Sequence, residues 1–166
     1  MREMDWRPAR RPEGRVIDRP RLEARFVTGL GQTLVSGAVG SGVASLAPGA
    51  PLLGLYALAP SGAHALRIAR DRALLVTPSP LGAADGWRDG WCATPVDDGW
   101  AVVDVTGADS GLALMQGTSA DLATGSPSAA VMFAGTRCLL ARIEAGFRLH
   151  VEAPRLEALL TWLDGA

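Results

Sequence analysis

The side chains that most often carry catalysis are few and scattered in this sequence. His64 and His150 are its two histidines, and the sequence places no partner near either for a metal site or an acid–base pair. Ser128 stands outside a Gly-x-Ser-x-Gly elbow, and no base is assigned to it. All 16 basic residues are arginine, which excludes a Schiff-base lysine. We expect no catalytic, cofactor-binding or metal-binding residue on this chain.

The carboxylates have simpler interpretations than acid–base chemistry. For acid–base catalysis, the pKa of each carboxyl group must be shifted by an apolar pocket or a charged partner. The candidates are Asp104, Asp109 and Asp121. Asp104 is expected to point outward from a strand, and Asp109 to cap a helix. His150 alternates with apolar neighbours, so we expect it to face solvent or an interface. An enzyme built on Ser128 or Asp104 ranks last among the hypotheses.

Tryptophans are the residues best suited to binding. Asp-Gly precedes Trp87, Trp91 and Trp100, and Trp162 lies near the end of the chain. Large aromatic rings stack on flat ligands such as a pterin, anchor protein partners, or pack in the core. Ordinary packing and a partner surface both remain open from the sequence.

Composition bounds the domain organisation. The 166 residues are 48% hydrophobic and 20% charged, which suits one domain with a continuous core. Residues 1–25 hold eight arginines against five interleaved acids, with several prolines, and predict a flexible tail. The single domain then covers residues 26–166. The two cysteines, which lack a Cys-x-x-Cys spacing, favour free thiols in a cytoplasmic protein. No long apolar run indicates a membrane segment, and the arginines of the tail are interleaved with acids, so we expect neither membrane nor nucleic-acid binding.

Periodicity predicts an α+β fold with a mostly antiparallel sheet packed by a few helices. Strand patterns occur near residues 26–36, 52–58, 64–68 and 74–76, and a meander is expected over 129–151. Residues 37–47 fit either a short helix or a loop. Helices are expected after Asp109 and at the C-terminus, where four leucines follow helical spacing and must face the sheet.

The dipeptide Asp98-Gly99 predicts a two-residue hairpin turn. In that register Cys92 would face Val105, and Thr94 would face Val103, on the core side of one sheet. Cys92 would then be an inert buried thiol.

Four segments, taken in order, resemble the gamma subunit of heterotetrameric sarcosine oxidase, a small relative of the folate-binding domain of glycine-cleavage T-proteins. They are the RDRALLV strand at 70–76, the VDVT strand at 103–106, the LMQGTSADL turn at 114–122, and the closing strand and helix FRLHV and LLTWL at 147–151 and 159–163. The resemblance covers about 100 residues. It implies a T-protein-like fold for the domain.

The resemblance also implies a function. Members of that family are non-catalytic, and flavin, NAD and tetrahydrofolate are bound by the larger alpha and beta subunits. This chain would then be an accessory subunit of an N-demethylating flavoenzyme complex, with Trp87, Trp91, Trp100, Trp162 and Asp121 as interface candidates. In isolation, without the larger subunits, the chain could form a homo-oligomer. The alternative hypothesis is a stand-alone folate-binding one-carbon module that stacks a pterin on a Trp-rich face.

Overall fold

The computed structural model describes residues 15–82 and 86–166. The strands in these residues are β1 Arg15–Arg19, β2 Leu22–Val27, β3 Gly31–Gly37, β4 Leu52–Leu53, β5 His64–Ala69, β6 Arg72–Thr77, β7 Gly86–Arg88, β8 Trp91–Pro95, β9 Trp100–Thr106, β10 Ala130–Phe133, β11 Thr136–Ile143 and β12 Gly146–Glu152. The helices are α1 Val39–Leu46, α2 Ser110–Gly117 and α3 Leu156–Gly165. A 3-10 turn, Ala153–Arg155, leads into α3.

The described strands form two six-stranded sheets. The first has the order β1-β2-β9-β12-β11-β10, and the second has the order β4-β5-β6-β3-β8-β7. The pairings within them are antiparallel, apart from the short β4–β5 pair. The prediction of a single α+β domain built on antiparallel strands is therefore confirmed, with two sheets in place of one.

Alternation along the strands explains how the sheets stack. In β12, Phe147, Leu149 and Val151 join the core beneath α2 and α3, so the residues between them, Arg148 and His150, face the second sheet. A separate apolar cluster lies between the sheets, and another lies between the second sheet and α1. The central strands are thus covered on both faces, in the layer order α2/α3, first sheet, second sheet, α1.

The C-terminal helix follows its sequence pattern. Leu156, Leu159 and Leu163 are buried against the first sheet, and Leu160 is partly buried beside them. Pro154 lies in the preceding 3-10 turn rather than in the first turn of α3 itself. The predicted docking of this helix on the sheet is confirmed.

Helix α2 approaches the first sheet closely at its last residue. A Cβ atom on Gly117 would lie 2.3 Å from the ring of Phe133. Glycine is the residue that lets this helix end over the aromatic ring. Residues 37–47, open between helix and loop in the sequence, form α1, which buries Val39 and Val43 against the second sheet.

Two predicted boundaries are wrong. Residues 15–25, assigned to the tail, include β1 and the start of β2, and β2 pairs with β9. The reason is that Ile17, Leu22 and Ala24 are buried among the arginines and acids, so this segment has a core face. Residues 1–14 lie outside the described residues. The strand predicted over 52–58 covers only Leu52–Leu53, and the backbone turns at Tyr56, whose φ is 54°.

The Asp98-Gly99 hairpin is also wrong. Strand β8 pairs with β3 and β7 in the second sheet, while β9 pairs with β2 and β12 in the first. A type I′ turn needs positive φ at both central residues. Asp89 and Gly90 meet that need, with φ of 40° and 83°, and they join β7 to β8; neither Asp98 nor Gly99 has positive φ. Cys92 is consequently half-buried rather than in the core.

Candidate functional site

Among residues 15–82 and 86–166, Trp87 is the tryptophan that lies at the surface. It lies on β7, the last strand of the second sheet, and 76% of the residue is exposed. The Asp89-Gly90 turn holds β7 against β8, so the backbone beneath the indole is fixed. An exposed indole on an ordered strand is the type of side chain that anchors a protein partner.

The other three interface candidates among the tryptophans have structural positions. Trp91 is 3% exposed and packs in the core beneath α1. Trp100 packs against the apolar cluster between the sheets, and Trp162 contacts Phe133 edge to face, with ring centroids 5.3 Å apart. Trp87 pairs with Cys92 and Arg88 pairs with Trp91. Trp87 and Trp91 therefore project from opposite faces of the second sheet, and the three tryptophans Trp87, Trp91 and Trp100 form no single stacking face. The folate-binding alternative depended on such a face and loses that support.

Asp121, the remaining interface candidate, organises its own turn. Its carboxylate accepts hydrogen bonds from the Thr124 hydroxyl at 2.5 Å and from the backbone N–H groups of Ala123 and Thr124 at 3.0 and 3.1 Å. These bonds, led by the Thr124 hydroxyl, lower the pKa of Asp121. The residue is exposed at the edge of the turn, so it stays a candidate for contact with a partner.

Further exposed apolar side chains were not identified from the sequence. Leu112 and Met115 project from α2, three residues apart, with 50% and 69% of each residue exposed. Met132 on β10 and Leu58 in the connection between β4 and β5 are also exposed. The helical spacing of Leu112, Leu114 and Met115 was visible in the sequence, but which of them faces outward depends on how α2 lies on the sheet.

Ser128 has a structural role in the connection to β10. Its hydroxyl donates to the carbonyl of Ile68 at 2.8 Å and accepts from the backbone N–H of Ala130 at 3.1 Å. The hydroxyl thereby ties this connection to the end of β5. Nothing in these contacts activates it as a nucleophile.

The aspartates on β9 and before α2 are ion-paired. Asp104 accepts two hydrogen bonds from the Arg148 guanidinium, at 2.6 and 2.8 Å, and both side chains are largely buried. Asp104 therefore faces the second sheet, and its predicted outward position is wrong because both faces of the first sheet are covered. Asp109 makes no side-chain cap; its carboxylate pairs with Arg21, which lowers the pKa of Asp109.

A cleft opens beside this ion pair at one end of the two sheets. It has a volume of about 730 Å³ and lies between residues 58–61 and the turn that joins β11 to β12. Arg148 forms part of its wall, and Glu144 lies at its rim. The arginine is already neutralised by Asp104, so the cleft offers no free cation from this residue.

Both histidines lie between the sheets. His64 is 2% exposed and His150 is 0% exposed, so the predicted solvent or interface position of His150 is wrong. Burial lowers the pKa of His64 and lowers the pKa of His150 to about 3, and the positive charge of Arg148 acts in the same direction on both rings. Both imidazoles are thus neutral at pH 7.

The remaining chemical groups show no reactive arrangement within the described parts of the chain. Burial raises the pKa of the Cys138 thiol to about 12, so it stays protonated. Residues 15–82 and 86–166 bring together no three His, Cys, Asp or Glu side chains able to hold a metal ion. Across the same residues, no helix has the length and apolar character needed to cross a membrane.

Comparison with known proteins identifies the fold. No protein-family model matches the sequence, and no curated protein matches it. Among solved structures, a chain of the heterotetrameric sarcosine oxidase from Corynebacterium sp. U-96, in complex with pyrrole 2-carboxylate, aligns with a TM-score of 0.73 at 20% identity. The alignment covers 87% of this chain and 82% of that chain. The protein therefore has the α+β fold of a heterotetrameric sarcosine oxidase subunit.

Proposed function

We propose that this protein is a non-catalytic, gamma-type accessory subunit of a heterotetrameric sarcosine-oxidase-like flavoenzyme. The observation that carries the proposal is the shared fold, which extends over most of both chains. The same family was indicated by the order of four sequence segments. Flavin, NAD and tetrahydrofolate would then be bound by the larger alpha and beta subunits, which carry out N-demethylation.

The state of the polar side chains supports a docking role. Ser128 is hydrogen-bonded to backbone, and Asp104 and Asp109 are paired with arginines. His64 and His150 are enclosed between the sheets. The groups with catalytic potential are thus committed to holding this fold, which suits a subunit that works by contact.

Trp87 is the proposed anchor for a larger subunit. Its indole is mostly exposed, and it lies at the edge of a sheet on a strand of only three residues. Burial of such a ring in a partner pocket supplies a large share of an interface's binding energy. The apolar pair Leu112 and Met115 on α2 offers a second contact surface for the same assembly.

The test is co-expression of the tagged chain with the alpha and beta subunits of a sarcosine-oxidase-type enzyme. We expect the larger subunits to co-purify with it, and Trp87→Ala to reduce their recovery at least 10-fold. Thr94→Ala is the matched control, because Thr94 is exposed on the neighbouring strand and on the same sheet face as Trp87. No retention of the larger subunits by the unmodified chain contradicts the proposal, and equal recovery with both variants contradicts the role of Trp87.

A further inference from the structure

Two imidazoles from opposite sheets occupy the layer between them. His64 begins β5 of the second sheet, and His150 lies in β12 of the first. His64 pairs with Val76, which in turn pairs with Gln32, so His64 and Gln32 belong to one cross-strand row of the second sheet. Gln32 contacts His150 directly. This geometry brings both rings into the same part of the inter-sheet layer.

The protonation of the His64 ring follows from its carbonyl partner. Nδ1 of His64 lies 2.9 Å from the backbone oxygen of Gly62. A carbonyl oxygen only accepts, so Nδ1 carries the hydrogen and donates it. In a neutral imidazole the other nitrogen, Nε2, is then an acceptor.

The side chain of Gln32 fixes the protonation of His150 in the same way. The side-chain N–H of Gln32 donates to the backbone oxygen of Trp100 at 3.1 Å, which fixes the orientation of the amide. Oε1 of Gln32 lies 3.2 Å from Nδ1 of His150, so Nδ1 donates to it. Nε2 of His150 is therefore also an acceptor.

Both Nε2 atoms are buried and have no hydrogen-bond partner among residues 15–82 and 86–166. Two buried acceptors without donors are unfavourable, and their ligand must supply hydrogens. A metal ion is disfavoured because the described residues bring no third His, Cys, Asp or Glu side chain to the two rings. A neutral molecule with two O–H donors, water, matches the pair, since buried waters typically bridge otherwise unsatisfied polar groups.

We propose that one buried water donates a hydrogen bond to Nε2 of His64 and a second to Nε2 of His150. Ordinary hydrogen-bond lengths place its oxygen about 2.8–3.0 Å from each nitrogen. The bonds then run without interruption from the carbonyl of Trp100 through Gln32, His150, the water and His64 to the carbonyl of Gly62. From Trp100 to His64, this series of hydrogen bonds crosses from one sheet to the other at each step. It therefore fixes the position of the two sheets relative to each other.

The first test is NMR of the full, isotope-labelled chain at pH 7. Long-range 1H–15N spectra should show both rings neutral with hydrogen on Nδ1, and cross-relaxation from one long-lived water should reach the carbon-bound ring protons of both residues. Hydrogen on Nε2 of either ring overturns the proposal. So does a water signal that reaches neither ring or only one of them.

Two further measurements use the same spectra. In His64→Phe the water signal at His150 should be lost, and its persistence would overturn the bridge. If that variant does not fold, the spectra of the unmodified chain still decide the question. Addition of Zn²⁺ should leave both Nε2 resonances unchanged; a saturable shift of both would identify a metal site and overturn the water bridge.

Discussion

Acidification below pH 6.5 should destabilise this protein through its two buried histidines. His150 is fully buried as a neutral ring, and its pKa is lowered from the usual 6.5 to about 3, chiefly by burial. Burial also lowers the pKa of His64. In the unfolded chain both rings regain their ordinary pKa. Below pH 6.5 the unfolded state therefore binds more protons than the folded state.

The sign and size of the effect follow from proton linkage. Because the folded-state pKa is depressed, the stability is fully present above pH 6.5 and declines as the pH falls toward 3. One pKa unit corresponds to about 1.4 kcal/mol, so His150 alone removes about 3 kcal/mol between pH 6.5 and 4.5. His64 adds a loss of the same sign. For a domain with a typical stability of about 5–15 kcal/mol, this is a large fraction.

Urea denaturation at pH 7.5, 6.5, 5.5 and 4.5 measures this slope directly. The free energy of unfolding should differ by less than about 1 kcal/mol between the two higher values and fall more steeply below them. Asp109 and Asp121 interfere little, because hydrogen bonds lower their pKa values and place their titration below this window. His150→Gln keeps a polar side chain but cannot titrate, so its slope should be shallower by about one proton. If the free energy of unfolding does not change from pH 6.5 to 4.5, the conclusion that both histidines are buried in the neutral form is wrong.

The remaining predictions concern close packing and the tryptophans. Gly117→Ala should destabilise the fold by about 1–3 kcal/mol, because the new methyl group would meet the ring of Phe133. Gly111→Ala in the same helix meets nothing within 4 Å and should stabilise it by up to about 1 kcal/mol; equal effects on the urea midpoint would contradict the close approach. Trp91→Ala should cost about 3–5 kcal/mol, whereas Trp87→Ala should change stability by less than about 0.5 kcal/mol. If Trp87→Ala lowers the melting temperature strongly, the indole of Trp87 is packed in the core and not exposed.

Local sequence patterns predicted the elements whose partners are close in the chain. The strands predicted near residues 64–68 and 74–76, the meander from β10 to β12 and the packing of α3 are all confirmed. Each depends on periodicity and on a nearby turn, which a sequence displays directly. Placement of β1 and β2 depended on pairing with β9, which lies far along the chain, and charge in the segment hid its apolar face.

The polar residues were harder to place, because strand alternation does not reveal what covers each face. His150 and Asp104 alternate with apolar residues, and in a half-exposed sheet they would face water. The second sheet covers that face, so both are enclosed. Asp89-Gly90 and Asp98-Gly99 are likewise identical in sequence, yet only the first forms a hairpin turn, since β9 is drawn into the other sheet.

Docking to larger subunits is the central claim, and native mass spectrometry of the co-expressed proteins tests it most directly. We expect one assembly that contains this chain once beside one copy each of the larger subunits, and no bound flavin when those subunits are omitted. A spectrum in which this chain flies alone, while the larger subunits assemble without it, would contradict the claim.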